Sequence, residues 1–485
     1  MHLFPGRILR CRLVLRLYYK AFAETKSCLL VKPDLEMEMK LVLTTTNNTN
    51  EQFAARIGLD WADQKHFWSM CTSDGKRQRG ETDNTPEAVE VWACELGQRF
   101  GGRPIAVALE QARGSVIAML SKYSHLVLFP VHSTSMANYR KSFSPSGAKS
   151  DYQDADLILD LLTRHPEKLK CLHPDTVETR QLQFLTEQRR KLVDLHTSQV
   201  QYLIDWLKQV FPQVLQWFDK PSTALVEAFL LRWPTLQNVQ KASPKVVLKF
   251  LHQHNCRSEE RNQQRLAEIR QALPATHDPA LLSSGVLCIQ NSVRILAEMR
   301  NGIANFDRQI AETFQAHPDR AIMQSFPGAG PVLEPRLIAA VGTQRDRFES
   351  ADNLTAYTGI APVTESSGNA CWIHWRWACP TFVRQTFHEW ADCSIQTCAW
   401  ARAYYDKQRA RGKGHHAAIR ALAFKWIRIF FRCWRDRVPY DEQRYLQSIA
   451  ARAANGVPSE NSTRTKPTVV LKTCGSFKKL AALSC

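Results

Sequence analysis

Between residues 53 and 164 the spacing of apolar positions changes several times. Ile57-Gly58-Leu59 is a short apolar run that ends in Asp60, and His66–Cys71 reads as a second strand. Asp74-Gly75 marks a tight hairpin, because both central positions of such a turn must tolerate positive φ. Lys76–Thr82 is the return strand. Pro86–Phe100 then takes helical spacing through Val89, Trp92 and Leu96 and stops at Gly101-Gly102, a C-cap signal. Pro104–Glu110 is a continuous apolar run of the kind a buried strand shows, again closed by an acid. Gly114–Tyr123 is helical and His125–Val131 is a strand. Ser150–Arg164 is a helix with Ala155, Ile158, Leu159 and Leu162 on its apolar face. The predicted order is strand, strand, strand, helix, strand, helix, strand, helix. That is an α/β domain with a mixed sheet, a class that binds ligands outside its strand ends.

The pattern beyond residue 170 is helical. Residues 176–320 hold long stretches broken at prolines. In one, Leu185, Leu192 and Trp206 share a heptad position, and Leu195 and Tyr202 share another. In a second, Ile289, Leu296, Ile303 and Ile310 recur every seven residues, with Met299 and Phe306 at the companion position. Such a repeat predicts a coiled-coil seam, either inside the chain as a helical hairpin or between chains. Ser325–Pro331 (SFPGAGP) opens a helix that runs to Val341. A Pro-Gly-x-Gly turn there resembles a helix-hairpin-helix, whose exposed amides at Gly328 and Gly330 would grip phosphate. Gly359–Gly368 reads as a polar loop, and Trp372–Trp377 alternates like a strand with one aromatic face. The expected organisation is a basic, dispensable extension (1–50), an α/β domain (51–168), a helical coiled-coil region (169–320), a mostly α C-terminal domain (321–450) and a flexible tail (451–485).

Composition narrows the function. With 485 residues, 44% apolar and 23% charged, the chain is a multidomain globular protein and not a disordered one. No run approaches 18 uninterrupted apolar residues, so no membrane-spanning helix is expected. The 14 cysteines form no C-x-x-C pair, which points to reduced thiols in a cytosolic compartment. Before residue 34, Arg12 and Arg16 interrupt what would otherwise be a signal-peptide core. The net charge of +18 favours polyanions, above all nucleic acid. Residues 371–440 carry 13 Lys/Arg against 4 acids, together with 15 aromatics. Cations neutralise phosphates and flat rings stack on unpaired bases. Arg376, Arg384, Arg409, Arg411 and Lys413 are the candidate nucleic-acid contacts, while Phe424, Phe430 and Phe431 are assigned to packing.

Four acids sit where a metal site would want them. Asp60 and Glu110 end two strands, and Asp151 and Asp154 are three apart, on one helical face. Four carboxylates converging on a point repel unless a cation neutralises them. Mg²⁺ takes hard oxygen donors and bridges to phosphate, and a pair of such ions can activate one oxygen and stabilise another. Asp63 and Asp156 are rival ligands.

The segments Gly58-Leu59-Asp60, Ala108-Leu109-Glu110 and Lys149-Ser150-Asp151-Tyr152-Gln153-Asp154-Ala155 resemble the N-terminal domain of the DEDD-type insertion-sequence transposases guided by a bridge RNA, the IS110 family. The family usually has Thr at Ser150 and Ala-Thr-Gly after the Glu, where this chain has Gln111-Ala112-Arg113-Gly114. The resemblance, over residues 53–450, implies a RuvC-like, RNase H-like sheet and a coiled-coil arm joining protomers into a homo-oligomer. It implies DNA and a structured guide RNA as partners, in a bacterial, nucleoid-associated enzyme without a membrane. It also implies a nucleophilic serine in the Gly359–Gly368 loop, matched by Ser367, with Ser366 as the alternative. Cys371–Arg384 stands where the family carries a glycine-rich segment. The carboxylate–Mg²⁺ site and Ser367 would build a composite centre for DNA strand exchange. Two other functions use the same residues: a RuvC-like nuclease or junction resolvase that attacks with water, and an inactive nucleic-acid-binding scaffold.

Overall fold

A computed structural model describes residues 53–143, 150–368 and 370–454. These fall into two compact units that divide between His173 and Pro174. The basic N-terminal segment, Lys149 and the tail beyond residue 454 lie outside the described residues.

The first unit is built on β1 (Ala55–Asp60), β2 (Lys65–Thr72), β3 (Arg77–Asp83), β4 (Ile105–Leu109) and β5 (Leu126–Pro130). They form one sheet in the order β3-β2-β1-β4-β5. β1, β2 and β3 pair antiparallel, whereas β4 joins β1, and β5 joins β4, in parallel. The central strand β4 is apolar throughout because both its faces are covered. Ile105, Val107 and Leu109 pack with Val89, Trp92 and Leu96 of α1 (Pro86–Arg99) and with Val116 and Leu120 of α2 (Ser115–Leu120). Ala106 and Ala108 pack on the opposite face with Met136 of α3 (Ser133–Phe143) and with Ile158 and Leu162 of α4 (Asp151–Arg164). This alternation is the period-two signature of a strand. The predicted elements are present within a residue or two of their expected ends, except that the helix expected over Gly114–Tyr123 stops at Leu120. Helix α3 is an addition, since its polar start Ser133-Thr134-Ser135 hides a single buried anchor, Met136.

The second unit is helical apart from one hairpin. Two long helices, α5 (Val177–Val210) and α11 (Pro279–Gln315), run antiparallel along each other. Gly285 lies against Trp206 and Val210, Gly302 against Leu192, and Arg189 pairs with Asp307. Ile289 and Leu296 of the heptad run are therefore buried inside the chain. Around one end pack α6 (Val214–Trp217), α7 (Ala224–Arg232), α8 (Leu236–Gln240), α9 (Pro244–Gln253) and α10 (Glu259–Gln271), with Trp217, Phe229, Trp233 and Phe250 in the core. Around the other pack α12 (Arg320–Gln324), α13 (Gly330–Val341), α14 (Ala351–Tyr357), α15 (Thr381–Thr397), α16 (Ala399–Ala410) and α17 (His415–Asp436), followed by α18 (Glu442–Ala454). Trp390, Trp426 and Trp434 fill that core.

Three expectations change here. By length and composition α11 is apolar enough to cross a membrane, although charges interrupt its runs. In the fold one side of it faces the core: Val293 and Leu296 are buried, and Arg300 meets the buried carboxylate of Glu227. Residues 363–367 are not a loop but strand β6 (Val363–Ser367), paired with β7 (Ala370–His374). The strand expected over 372–377 ends at His374, so Trp375 and Trp377 lie beyond it. Many of the C-terminal tryptophans belong to the core and not to a stacking surface.

Candidate functional site

The acid edge of the first unit follows from strand register. Leu59 and Leu109 are partners across the parallel β1–β4 pair. Asp60 and Glu110, the next residues, therefore leave the sheet at the same edge from strands about 4.8 Å apart. Gly58 brings the third element in. A Cβ at Gly58 would overlap the Ala155 carbonyl and the Leu159 amide, so α4 lies directly on β1 only because that side chain is absent. The first turn of α4, with Asp151 and Asp154, is thereby set beside the end of β1. Phe67, the register partner of Asp60, packs edge-on against Tyr152 with ring centroids 4.9 Å apart.

Asp154 is 2% exposed. A buried carboxylate needs a charged or hydrogen-bonding partner, and Arg140 of α3 supplies one. Its Nε donates to Asp154 Oδ1 at 2.7 Å, and its Nη2 lies 3.9 Å from Glu110 Oε1. One guanidinium thus serves two of the four predicted acids. Asp151 is exposed in the same helical turn. The rival Asp156 faces away and is paired with Arg79 of β3, and Asp63 is exposed in the β1–β2 turn.

Among the described residues, no three His, Cys, Asp or Glu side chains lie close enough together to hold a metal ion. The donor set nevertheless suits a hard divalent cation. It is all carboxylate, and the Arg140 guanidinium already stands between two of its members, Glu110 and Asp154. Sequence reasoning misses Arg140. It lies 14 residues from Asp154, in a stretch whose spacing predicts nothing, and only the adjacent Arg140-Lys141 pair hints at it.

In the second unit the β6–β7 hairpin presents the serines. Ser367 pairs with Ala370 next to the turn, where Gly368 takes φ 57°. Strand alternation puts Val363, Glu365 and Ser367 on one face with Ala370, Trp372 and His374, and Ser366 on the other. His374 Nε2 lies 3.1 Å from Glu365 Oε2, so Ser367 shares its face with an acid–imidazole pair. Both serines are exposed. Arg376 secures the hairpin base through hydrogen bonds from Nε to the Ala361 carbonyl and from Nη2 to the Pro362 carbonyl.

The other predicted contacts are dispersed. Gly328 takes φ 75°, and a Cβ there would overlap the backbone of Cys393 and Ser394 on α15. Close helix packing therefore requires this glycine. Gly330 has open space where a Cβ would stand. Arg409 donates to the Lys413 carbonyl and, with Arg411 and Lys413, forms an exposed basic turn. Arg384 donates to the Arg376 carbonyl and to Cys379 Sγ.

Comparison with known proteins gives concordant matches. A family model described as Transposase matches residues 57–212, and one described as Transposase IS116/IS110/IS902 family matches residues 320–406. The chain is 25% identical over 410 residues to "Mini-circle putative transposase for IS117" of Streptomyces coelicolor, covering 82% of this chain and 98% of that protein. It is 25% identical over 395 residues to "Insertion element IS900 uncharacterized 42 kDa protein" of Mycobacterium paratuberculosis, covering 79% and 96%. A third relative, "Insertion element IS116 uncharacterized 44.8 kDa protein" of Streptomyces clavuligerus, is 24% identical over 384 residues, covering 79% and 94%.

Proposed function

The chain belongs to the IS116/IS110/IS902 family of insertion-element transposases, and we propose that it moves its element by strand exchange through a covalent serine–DNA link. As a transposase it is an enzyme that acts on DNA. The sheet order β3-β2-β1-β4-β5, with a helix laid over β1, supports an RNase H-like, RuvC-like reading of the first unit. In this reading Asp60, Glu110, Asp151 and Asp154 hold Mg²⁺. When bound, the ion would neutralise the four carboxylates and stabilise charge on the phosphate under attack.

The protein's own groups carry the remaining steps. Ser367 Oγ attacks the phosphorus, and a bond forms between them as the bond to the leaving 3′ oxygen breaks. The leaving strand keeps a 3′ hydroxyl and the serine carries the 5′ phosphate. Glu365, two residues from Ser367 on the same hairpin face, is the group we assign to take the serine proton, with His374 as the partner of that carboxylate. A 3′ hydroxyl from another strand then attacks the phosphoserine and restores the serine hydroxyl, so no external energy source is needed. The basic, aromatic second unit and the net charge of +18 support DNA and a structured guide RNA as partners. Leu195, Tyr202, Leu287 and Ile295 stay exposed on the paired helices α5 and α11, which supports a homo-oligomer. We place the enzyme in the cytoplasm, where its DNA is.

The observation that carries this reading is the shared edge of the sheet, where Glu110 and Asp154 answer one cation. The test is an incubation of the full chain and guide RNA with DNA spanning an element end, in Mg²⁺ or EDTA, resolved on a denaturing gel. A Mg²⁺-dependent protein–DNA adduct is expected. Cleavage without an adduct would replace it with hydrolysis by water. Binding without cleavage, unchanged in Asp154→Asn, would reduce the chain to a scaffold.

A further inference from the structure

We propose that the seam between α15 and α17, closed on one side by Trp375, is a binding site for a phosphodiester of an unpaired nucleic-acid strand, with Trp377 stacking on its base. Arg384 and His388 lie one turn apart on α15, and His416 and Arg420 one turn apart on α17. The rings of His388 and His416 have centroids 5.8 Å apart. Both guanidiniums converge on Trp375, at 3.7 Å from the ring centroid for Arg420 and 5.3 Å for Arg384. Two guanidiniums thus meet over one indole, and a pair of packed imidazoles bridges the same two helices one turn away.

Two buried donors without acceptors, beside two guanidiniums without carboxylates, mark the place. Several covered arginines of this unit meet carboxylates, Arg336 with Glu389, Arg345 with Asp319 and Arg189 with Asp307, while Arg265, Arg347 and Arg376 are satisfied by backbone carbonyls or a hydroxyl. Among the described residues neither Arg384 nor Arg420 has an ion pair. Arg384 is turned onto a carbonyl and a thiol. Arg420 Nε and Trp375 Nε1 are both buried with no hydrogen-bond partner. A buried donor without an acceptor is costly, and two of them beside two like charges are an arrangement that an anion would relieve.

The electrostatics agree. Burial, and then Arg384, holds the Arg420 guanidinium below its ordinary range. Burial also lowers His388; a backbone hydrogen bond at His416 and the charge of Asp392 oppose this, while His416 and Arg420 add to it. An incoming phosphate would reverse these effects. The base has a place as well. Trp377 is 70% exposed, and its ring centroid lies 6.2 Å from that of Trp375. Trp375 follows His374, whose register partner Val363 is four residues from Ser367. At about 3.4 Å per residue the anchor lies roughly 14 Å from the serine along the hairpin. The site could therefore hold a strand whose next phosphates run toward Ser367. This last point rests on the strand-exchange reading, but binding at the seam does not.

The test measures binding, not catalysis. The full chain carrying Ser367→Ala, in EDTA, is titrated with a fluorescent single-stranded oligonucleotide, once as DNA and once as RNA of the same sequence. Adding Arg384→Gln and Arg420→Gln together is expected to weaken binding by about tenfold or more. The double change should also flatten the dependence of log K on log salt, by about one unit for each phosphate left without its cation. Weakening with the DNA probe alone identifies the DNA strand as ligand, weakening with the RNA probe alone identifies the guide, and equal weakening means that phosphate and base suffice. If the double variant does not fold, Trp377→Ala, which removes an exposed ring, is expected to cost about tenfold by itself. Wild-type affinity and wild-type salt slope for both probes, in the folded double variant or in Trp377→Ala, would overturn the proposal. Because Ser367 and metal are both absent from this assay, its failure would leave the strand-exchange reading untouched. Failure of the adduct assay would likewise leave the seam standing.

Discussion

The acid edge and the serine hairpin are held by their units in opposite ways. Asp154 is buried, paired with Arg140 and carried by a helix that touches β1 through a missing side chain. Ser367 stands exposed next to a two-stranded turn, with no core behind it. The difference teaches that the first site is part of what stabilises its unit, whereas the second is hung outside. Residues of the first should be costly to change even when no reaction is measured. Residues of the second should be cheap to change and fatal only to chemistry.

The largest effect expected is for Gly58→Ala. The new methyl group would meet backbone that cannot rotate away, so α4 must lift from the sheet. We expect a loss of about 3 kcal/mol or more in denaturant unfolding, read by the quenching of Trp68 and Trp92. A loss below about 1 kcal/mol would mean that α4 is not seated on β1 as described. Next is Asp154→Asn, which strips Arg140 of its nearest anion. In EDTA it should cost about 2–3 kcal/mol, and DNA cleavage in Mg²⁺ should fall at least a hundredfold. The counterpart Arg140→Gln leaves two carboxylates facing each other. Its melting temperature should rise with added Mg²⁺ more than that of the wild type, and equal responses would remove Arg140 from the metal edge.

Acid should weaken both units. Burial, above all, holds His66 and His125 in the first and His317 in the second below the ordinary histidine value. His317 is fixed as a neutral ring, accepting from the Asp319 amide at Nδ1 and donating from Nε2 to Thr179 Oγ1. Asp319 and Glu178 raise its affinity for a proton and Arg345 lowers it, but burial dominates. The unfolded chain therefore binds protons at higher pH than the fold does. This contribution is complete above the unfolded value of about 6.5 and is lost as pH falls through it. His317→Gln should flatten the fall in stability between pH 7 and 5, and an unchanged slope would assign it to other groups. The smallest effect is Ser367→Ala, which should change stability by less than about 0.5 kcal/mol. A larger loss would show that the hairpin is tied into a core.

What could be read from the chain follows the same divide. Four strands of the first unit announce themselves because burial on one or both faces imposes period two or a continuous apolar run, and the strand-end acids follow from that; the exposed β3 is legible only from the Asp74-Gly75 turn before it. Arg140 stays hidden, since its pairing with Asp154 is made by two helices packed side by side on one face of the sheet and not by spacing. The heptads of residues 289–310 reveal a seam but not its partner, which turns out to be α5 in the same chain. β6 escapes the pattern because Thr364-Glu365-Ser366-Ser367 is exposed on every side, so no burial imprints a period on it. The tryptophans look alike in sequence, yet Trp390 is sealed in a core and Trp377 faces solvent.

The central claim is that Ser367 becomes covalently joined to DNA. Trapping the complex with cut element-end DNA in Mg²⁺, digesting both partners and locating the nucleotide-bearing peptide by mass spectrometry tests it directly. The account predicts a single modified peptide with the phosphate on Ser367. A phosphate on Ser366 or on any other residue, or strand exchange with no modified peptide at all, would contradict it.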